Sequence, residues 1–368
     1  MEVLSRHTEN GLKITSLERP ECRDHYIALQ QETGTDFHRA CVQLADTVRG
    51  LGASLVAMDV FGVPGTADAV LREAFDRLPC PPITWMEGRK DHGAPFYGLL
   101  AWAVEGPEVV PVQAGNGTAG VAFQVDGVRY CRLGGVTATD RNASRREQTR
   151  EVFNGMERAL AQVDMNFTNV VRTWFYNSDM LDWYDVFNEV RTAFFLERCL
   201  FDRLVPASTG IGCWNGRQAA LTGGLLAVAK GEKRVDPIEV PSPLQRSSFE
   251  YGSAFSRAVE FGAGGLRRLF ISGTASIEPG GSSVHIGDVR AQIQLTLDVV
   301  QAILASRGMD WGSASRSVAY FKHAKDAAVL QECMNERGMP PLPGILAHTD
   351  ICRDDLLFEL ELDAVGAE

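Results

Sequence analysis

The sequence predicts an α+β protein built from three related units, and three observations carry that expectation. One supersecondary pattern, an amphipathic helix, a β-branched strand, a short polar turn and a second helix, is written three times in 368 residues. Segments rich in β-formers precede and follow each copy. The central strands also align with one another as LVAMDVFG, VVRTWFYN and ASRSVAYF, beginning at Leu55, Val170 and Ala314. Such wide spacing rules out a solenoid and suits fused or duplicated domains, expected at 1–115, 116–235 and 236–368. The N-terminal unit is the most worn of the three, and the C-terminal unit carries the chemistry.

Taken in order, the first 37 residues lack a clear period and read as a strand or an irregular lead-in. The first copy runs over 41–78 and is followed by the strand-like PFYGLLAWAV (95–104). The segment 121–139 reads as a hairpin turning at Asp126-Gly127, because an Asp-Gly pair supplies the positive φ angles that a two-residue turn needs. It leads into the second and clearest copy, 148–195, which is followed by AALTGGLLAVA (219–229). The stretch 230–248, with three prolines and several charges, is the best linker candidate. RRLFISGTASIEP (267–279) is a strand ending in small residues, the third copy covers 292–337, and DLLFELELDAV (355–365) closes the chain. Each unit therefore approximates β-β-α-β-α-β-β, with its helices on one face of a mixed sheet.

Composition narrows the function. With 45% apolar residues the chain can bury two or three cores of ordinary domain size. Lys plus Arg number 36 against 47 Asp plus Glu, so the net charge of −11 argues against nucleic acid or an anionic membrane as partner. No apolar run approaches the roughly 18 residues that span a bilayer, and MEVLSRHTENGLK is not a signal peptide. The eight cysteines are scattered without C-x-x-C or zinc spacing, as buried thiols of a cytosolic protein would be. The phosphate-loop, nucleophile-elbow, zinc-protease and dinucleotide-binding signatures are all missing. Neither a metal nor a cofactor is expected, and the chemistry falls to carboxylates, arginines, hydroxyls and backbone donors.

Comparing the terminal strands of the three units isolates one candidate. The third alone carries Glu359, Glu361 and Asp363 on one face at period two. Glu361 and Asp363 read as a solvated strand face. Glu359 lies deepest, next to Leu356-Leu357-Phe358, where loss of hydration would raise its pKa and let it donate a proton near neutrality. On the helix after the second strand, Tyr184, Asn188 and Arg191 share one face, which suits either a solvated stripe or a cleft wall. Ser208-Thr209-Gly210 and Ser272-Gly273-Thr274-Ala275 are small-residue strand ends. Their backbone N–H groups would bind an anion, or simply serve a turn.

ISGTAS, the helix–strand–helix unit after it and the terminal strand with its inward Glu resemble the YjgF-like (chorismate-mutase-like) reactive-intermediate deaminase fold, which assembles as trimers. YGSAFSRAVE (251–260) is similar to that family's lead-in motif, contributing Phe255, Ser256 and Arg257. Those deaminases place a substrate-clamping arginine fifteen residues before the Glu, where this chain has Gly344, while the related PAST segment offers Ser208. The fused version of the fold resembles the chorismatases, on the strength of 171–195, 204–212, 242–260, 269–277 and 349–361. That likeness covers most of the chain beyond about residue 120.

The resemblance implies a pseudo-trimer of fused β-α-β-α-β domains with Glu359 as catalytic acid. It implies that Cys352 marks the branch releasing an aromatic hydroxybenzoate, although a thiol filling space beneath a strand would read the same. Arg257 is the first choice for the missing clamp, since a guanidinium suits a carboxylate. One arginine of RNASRREQTR (141–150) would add to it. The implied reaction converts chorismate to pyruvate and 3-hydroxybenzoate, with or without some 4-hydroxybenzoate. The alternatives are hydrolysis to a dihydroxycyclohexadiene carboxylate, imine or enamine deamination, which Gly344 disfavours, and a non-enzymatic small-carboxylate binder. The expected partner is the small substrate alone, and the expected state is a monomer with an internal pseudo-trimer or a weak homo-oligomer.

Overall fold

The three copies fold into three six-stranded sheets with one strand order. The computed structural model describes residues 4–32, 37–62, 67–75, 83–88, 96–114 and 117–368. The polar turn of the first copy (63–66) and Cys80 lie outside them. The first sheet holds β1 (Leu4–Glu9), β2 (Leu12–Glu18), β3 (Arg23–Glu32), β4 (Ser54–Phe61), β5 (Ile83–Met86) and β6 (Phe96–Glu105), with α1 (Phe37–Gly50) and α2 (Ala67–Ala74). The second holds β7 (Val110–Ala114), β8 (Gly117–Val125), β9 (Val128–Thr137), β10 (Val170–Asn177), β11 (Ala207–Gly212) and β12 (Leu221–Lys230), with α3 (Arg145–Ala161) and α4 (Tyr184–Glu197). The third holds β13 (Ile238–Val240), β14 (Ala258–Ala263), β15 (Leu266–Ala275), β16 (Ala314–Phe321), β17 (Gly344–His348) and β18 (Phe358–Ala367), with α5 (Val289–Ser306) and α6 (Ala327–Glu336).

In chain order within each unit, the strands lie as first, second, third, sixth, fourth and fifth. Only the fourth and fifth run parallel, joined by the second helix as crossover. Three strands, not two, precede the first helix of each unit. The N-terminal segment is therefore ordered sheet, and its first hairpin turns at Asn10-Gly11 with φ of 50° and 81°. The expected hairpin at Asp126-Gly127 is present, with φ of 54° and 75°. The 230–248 segment is not wholly linker, since β13 adds an edge strand to the third sheet. The cluster at 141–150 starts α3: Ser144 caps it and Glu147 closes a capping box, satisfying two otherwise unpaired backbone donors.

Each sheet packs its two helices on one face. In the second unit Phe153, Phe167, Phe175, Phe194 and Phe195 are sealed there, and truncating one of them would cost about 3–5 kcal/mol. The other faces of all three sheets meet in one shared core, to which no helical residue belongs among the described residues. Phe61, Tyr176 and Tyr320, at equivalent register on β4, β10 and β16, come together at the pseudo-threefold axis. The Phe61 ring lies 5.9 Å from Tyr176 and 6.1 Å from Tyr320. Among the described residues no helix is long and apolar enough to cross a membrane.

Candidate active site

Alternation along β18 sends Phe358, Leu360 and Leu362 into the helix-side core and Glu359, Glu361 and Asp363 to the axial face. That face is covered by the other two sheets. The expectation of a solvated stripe is therefore wrong for Glu361, which is 0% exposed, and for Asp363, at 6%. Their charge is met by arginines from neighbouring strands: Arg172 lies 3.1 Å and Arg316 2.7 Å from Glu361, and Arg316 lies 3.7 Å from Asp363. Burial favours the neutral acid at Glu361, but Arg316 and Arg172 outweigh it and hold the carboxyl below its usual range. At Asp363 burial prevails over Arg316 and pushes the carboxyl up to about 6.

Glu359 has a different environment. It pairs across the sheet with Ala275 of β15 and Tyr320 of β16, and it is 4% exposed. The ladder between β15 and β18 is irregular between Ile271 and Thr274, which brings Gly273 under the Glu359 side chain. A Cβ at residue 273 would collide with Oε1 of Glu359. Burial, reinforced by Glu361, pushes the Glu359 carboxyl up to about 8, against the pull of Arg172 and Arg257. It carries its proton at neutral pH. Burial likewise raises Cys352 to about 12, with Glu359 adding to the effect, so it remains a thiol.

A cleft between the second and third sheets opens onto Glu359. Nine of the expected residues line it. Tyr184 and Arg191 come from α4, Ser208 from β11, and Gly273 and Ala275 from β15. Phe255, Arg257, Cys352 and Glu359 complete the set. The Phe255 ring centre lies 5.8 Å from the Arg191 guanidinium and 5.4 Å from that of Arg257. Arg191 also donates to Asn188 at 2.6 Å. Gly210 leaves room for the Tyr184 ring, whose hydroxyl would lie 3.2 Å from a Cβ there.

The side chains of Thr209 and Thr274 do not line the cleft. Thr209 Oγ1 accepts from Arg172 at 2.6 Å and from the Gly273 N–H at 3.1 Å, while the Thr274 hydroxyl donates to Ser272 O. The Ser208 N–H donates to Ser272 Oγ at 2.8 Å. The backbone donors of Ser208 and Gly273 thus stitch the two sheets together and are not directed at an anion. Arg145, Arg146 and Arg150 are drawn to Asp179, Glu189 and Glu197 instead of the cleft.

Gly344, the position of the deaminase clamp, faces a different cleft, between the third and first sheets. A side chain there would strike the Ser317 carbonyl. Ser208 holds the equivalent register on β11, opposite Thr173 as Gly344 is opposite Ser317. Ser253, Ile277 and Arg353 also line the Glu359 cleft. The sequence reading missed them, although Ser253 sits in YGSAF and Arg353 directly follows Cys352. Arg353 donates to Gly281 O at 2.8 Å, tying the 278–283 turn to the site.

A second cavity lies on the axis, walled by Asp59 and Trp102, Arg132 and Trp174, and Arg316 and Asp363 from the three sheets. There acids and arginines neutralise one another, as in the 3.3 Å pair of Arg132 with Asp59. The Glu359 cleft instead sets a protonated acid beside Arg191, Arg257 and Arg353. It is suited to delivering a proton to a bound anion.

No protein-family model matches the chain. Among characterised proteins it is similar to a chorismatase of Streptomyces rapamycinicus, 28% identical over 288 residues that span 71% of this chain and 80% of the relative. It is likewise similar to a 3-hydroxybenzoate synthase of Streptomyces hygroscopicus, 28% identical over 274 residues, 66% of this chain and 75% of the relative. A crystal structure of a chorismatase shares the fold, with a TM-score of 0.64 at 19% identity over 92% of this chain and 98% of that one.

Proposed function

We infer that this chain, which belongs to the chorismatase family, converts chorismate to pyruvate and 3-hydroxybenzoate. The observation that carries the reading is the buried Glu359 in an arginine-lined cleft, where loss of hydration pushes its carboxyl up to about 8. Chorismate is a dianion with an enolpyruvyl ether, and Arg191, Arg257 and Arg353 match its two carboxylates. Arg257 is the principal clamp.

Glu359 gives its proton to the terminal methylene of the enolpyruvyl group, which creates the pyruvate methyl and an oxocarbenium ion. The neighbouring ring hydroxyl oxygen then attacks the carbon bearing the ether and gives up its proton to the Glu359 carboxylate, while the ether C–O bond breaks and pyruvate leaves. The resulting arene-oxide-like intermediate opens, a ring proton is lost and 3-hydroxybenzoate forms. The Glu359 carboxylate is the base left in the site, so the proton balance closes without water. Cys352 supports this outcome because a neutral thiol next to Glu359 offers an attacking water little to bind. Phe255, Tyr184, Ser208, Gly273 and Ala275 shape the pocket around the ring.

Both walls of the cleft come from one chain, which favours a monomer working as an internal pseudo-trimer of three domains, one per sheet. The seven described cysteines are all thiols, in keeping with a reducing cytosol. The test is to incubate the protein with chorismate in deuterated water, trapping pyruvate rapidly as lactate. The expected products are 3-hydroxybenzoate and pyruvate bearing one deuterium in its methyl group. Release of a dihydroxycyclohexadiene carboxylate, or of no pyruvate, would overturn the reading.

A further inference from the structure

Glu361 stands two residues from Glu359 on the same face of β18, and the chemistry above makes no use of it. It is held from three directions, by Arg172 of β10, by Arg316 of β16 and by the Trp174 indole N–H at 3.3 Å from Oε1. Removing a carboxylate and two guanidiniums from water costs several kcal/mol per ion, so such a cluster is poor value as a stabiliser. Its connections point to the site. The Arg172 Nη2 that meets Glu361 also donates to Thr209 Oγ1, and the same hydroxyl receives the N–H of Gly273, the residue beneath the Glu359 carboxyl.

The repeats supply an internal comparison. The register positions equivalent to Glu359 are Gly98 and Thr222, opposite Phe61 and Tyr176 as Glu359 is opposite Tyr320. Two residues on, the equivalents of Glu361 are Leu100 and Gly224. The two acids occur together in one sheet and are both missing from the others.

We propose that Glu361 is a positioning residue for the reaction: a fixed buried negative charge, anchored by Arg172 and Arg316, that keeps the proton on Glu359 in a cleft otherwise dominated by cations. The proposal rests on the reading of Glu359 as proton donor, and it answers a conflict within that reading. A site that binds a dianion needs arginines, and arginines draw the proton off a neighbouring acid.

Burial, Glu361, Arg172 and Arg257 set the balance at Glu359, and other titratable groups face it. Its own strand supplies Glu361, β10 supplies Arg172, the segment before β14 supplies Arg257, and β16 places Tyr320 directly opposite. Cys352 lies beside it from the preceding loop, and Arg191 and Arg353 share the cleft. After burial, Glu361 is the main influence resisting ionisation, and Arg172 and Arg257 oppose it.

The experiment compares Glu361→Gln and Arg172→Met with the unaltered protein. It follows the carboxyl ionisation of ligand-free protein by infrared titration, Glu359 being assigned by loss of its band in Glu359→Gln, and the pH dependence of kcat/KM. Glu361→Gln should lower the Glu359 transition by roughly one pH unit, and Arg172→Met should raise it by a similar amount. Loosened packing alone would not give shifts of opposite sign. Transitions that stay put or move the same way in both variants overturn the proposal. If Glu361→Gln does not fold, Arg172→Met decides alone: an upward shift supports the proposal, and no shift or a downward one overturns it. The infrared arm needs no turnover, so failure of the proton-donor reading, seen as an active Glu359→Gln enzyme, is distinguishable from failure of this one.

Discussion

The Glu359 carboxyl lies over the α-carbon of Gly273, in the space a side chain there would fill. Glycine is required at 273 by that approach, since its backbone φ is not in the left-handed region. The obstructing atom is the end of a flexible side chain, so an added methyl displaces the catalytic carboxyl and spares the fold.

Gly273→Ala should therefore keep the melting temperature within a few degrees while kcat falls by about 10²-fold, the usual effect of misplacing a reacting group by an ångström. Thermal unfolding and initial rates on one preparation check this. A large loss of stability with normal kcat in the folded fraction would contradict the geometry.

The pH dependence follows from the sign of the Glu359 shift. The acid form is active, so kcat/KM should fall as one proton is lost above about pH 8. The same raised pKa makes a stability contribution that is fully present below the ordinary value near 4.5 and lost as pH rises to about 8. Glu359→Gln escapes that loss. Denaturant titrations should find the variant gaining on the unaltered protein between pH 5 and 8, by a few kcal/mol in all. An unchanged gap across that window would contradict a buried proton on Glu359.

Arg257 is 4% exposed, its Nε donates to Arg246 O at 2.9 Å and its guanidinium lies against Phe255. Arg257→Ala should raise KM for chorismate, with a loss in kcat/KM worth roughly 2–5 kcal/mol for a buried charge pair. Steady-state kinetics with unchanged KM would remove Arg257 from the clamp.

Much of this was legible in the sequence. The threefold pattern located β4, β10 and β16, and the apolar flank of Glu359 marked it as the buried acid. Strand periodicity assigns residues to a face but not what covers it, so Glu361 and Asp363 were misread as solvated. Their partners Arg172 and Arg316 were visible as matched arginines in VVRTWFYN and ASRSVAYF, a signal that needs the sheets assembled around an axis to acquire meaning. Arg353 was hidden because it sits in a loop without period. The small residues at 208–209 and 273–274 suggested an anion cradle, yet the Ser208 and Gly273 amides are taken by the hydroxyls of Ser272 and Thr209. Sequence spacing cannot foresee donors consumed between distant segments.

The central claim is that Glu359 supplies the proton that starts the reaction, and the most direct measurement is the kcat of Glu359→Gln with chorismate. Glutamine keeps the shape and hydrogen bonding of the side chain but has no carboxylic proton to give. The account predicts a properly folded variant that still binds substrate, with kcat lower by about 10²–10⁴ or more. A variant retaining more than a tenth of the original kcat would contradict it.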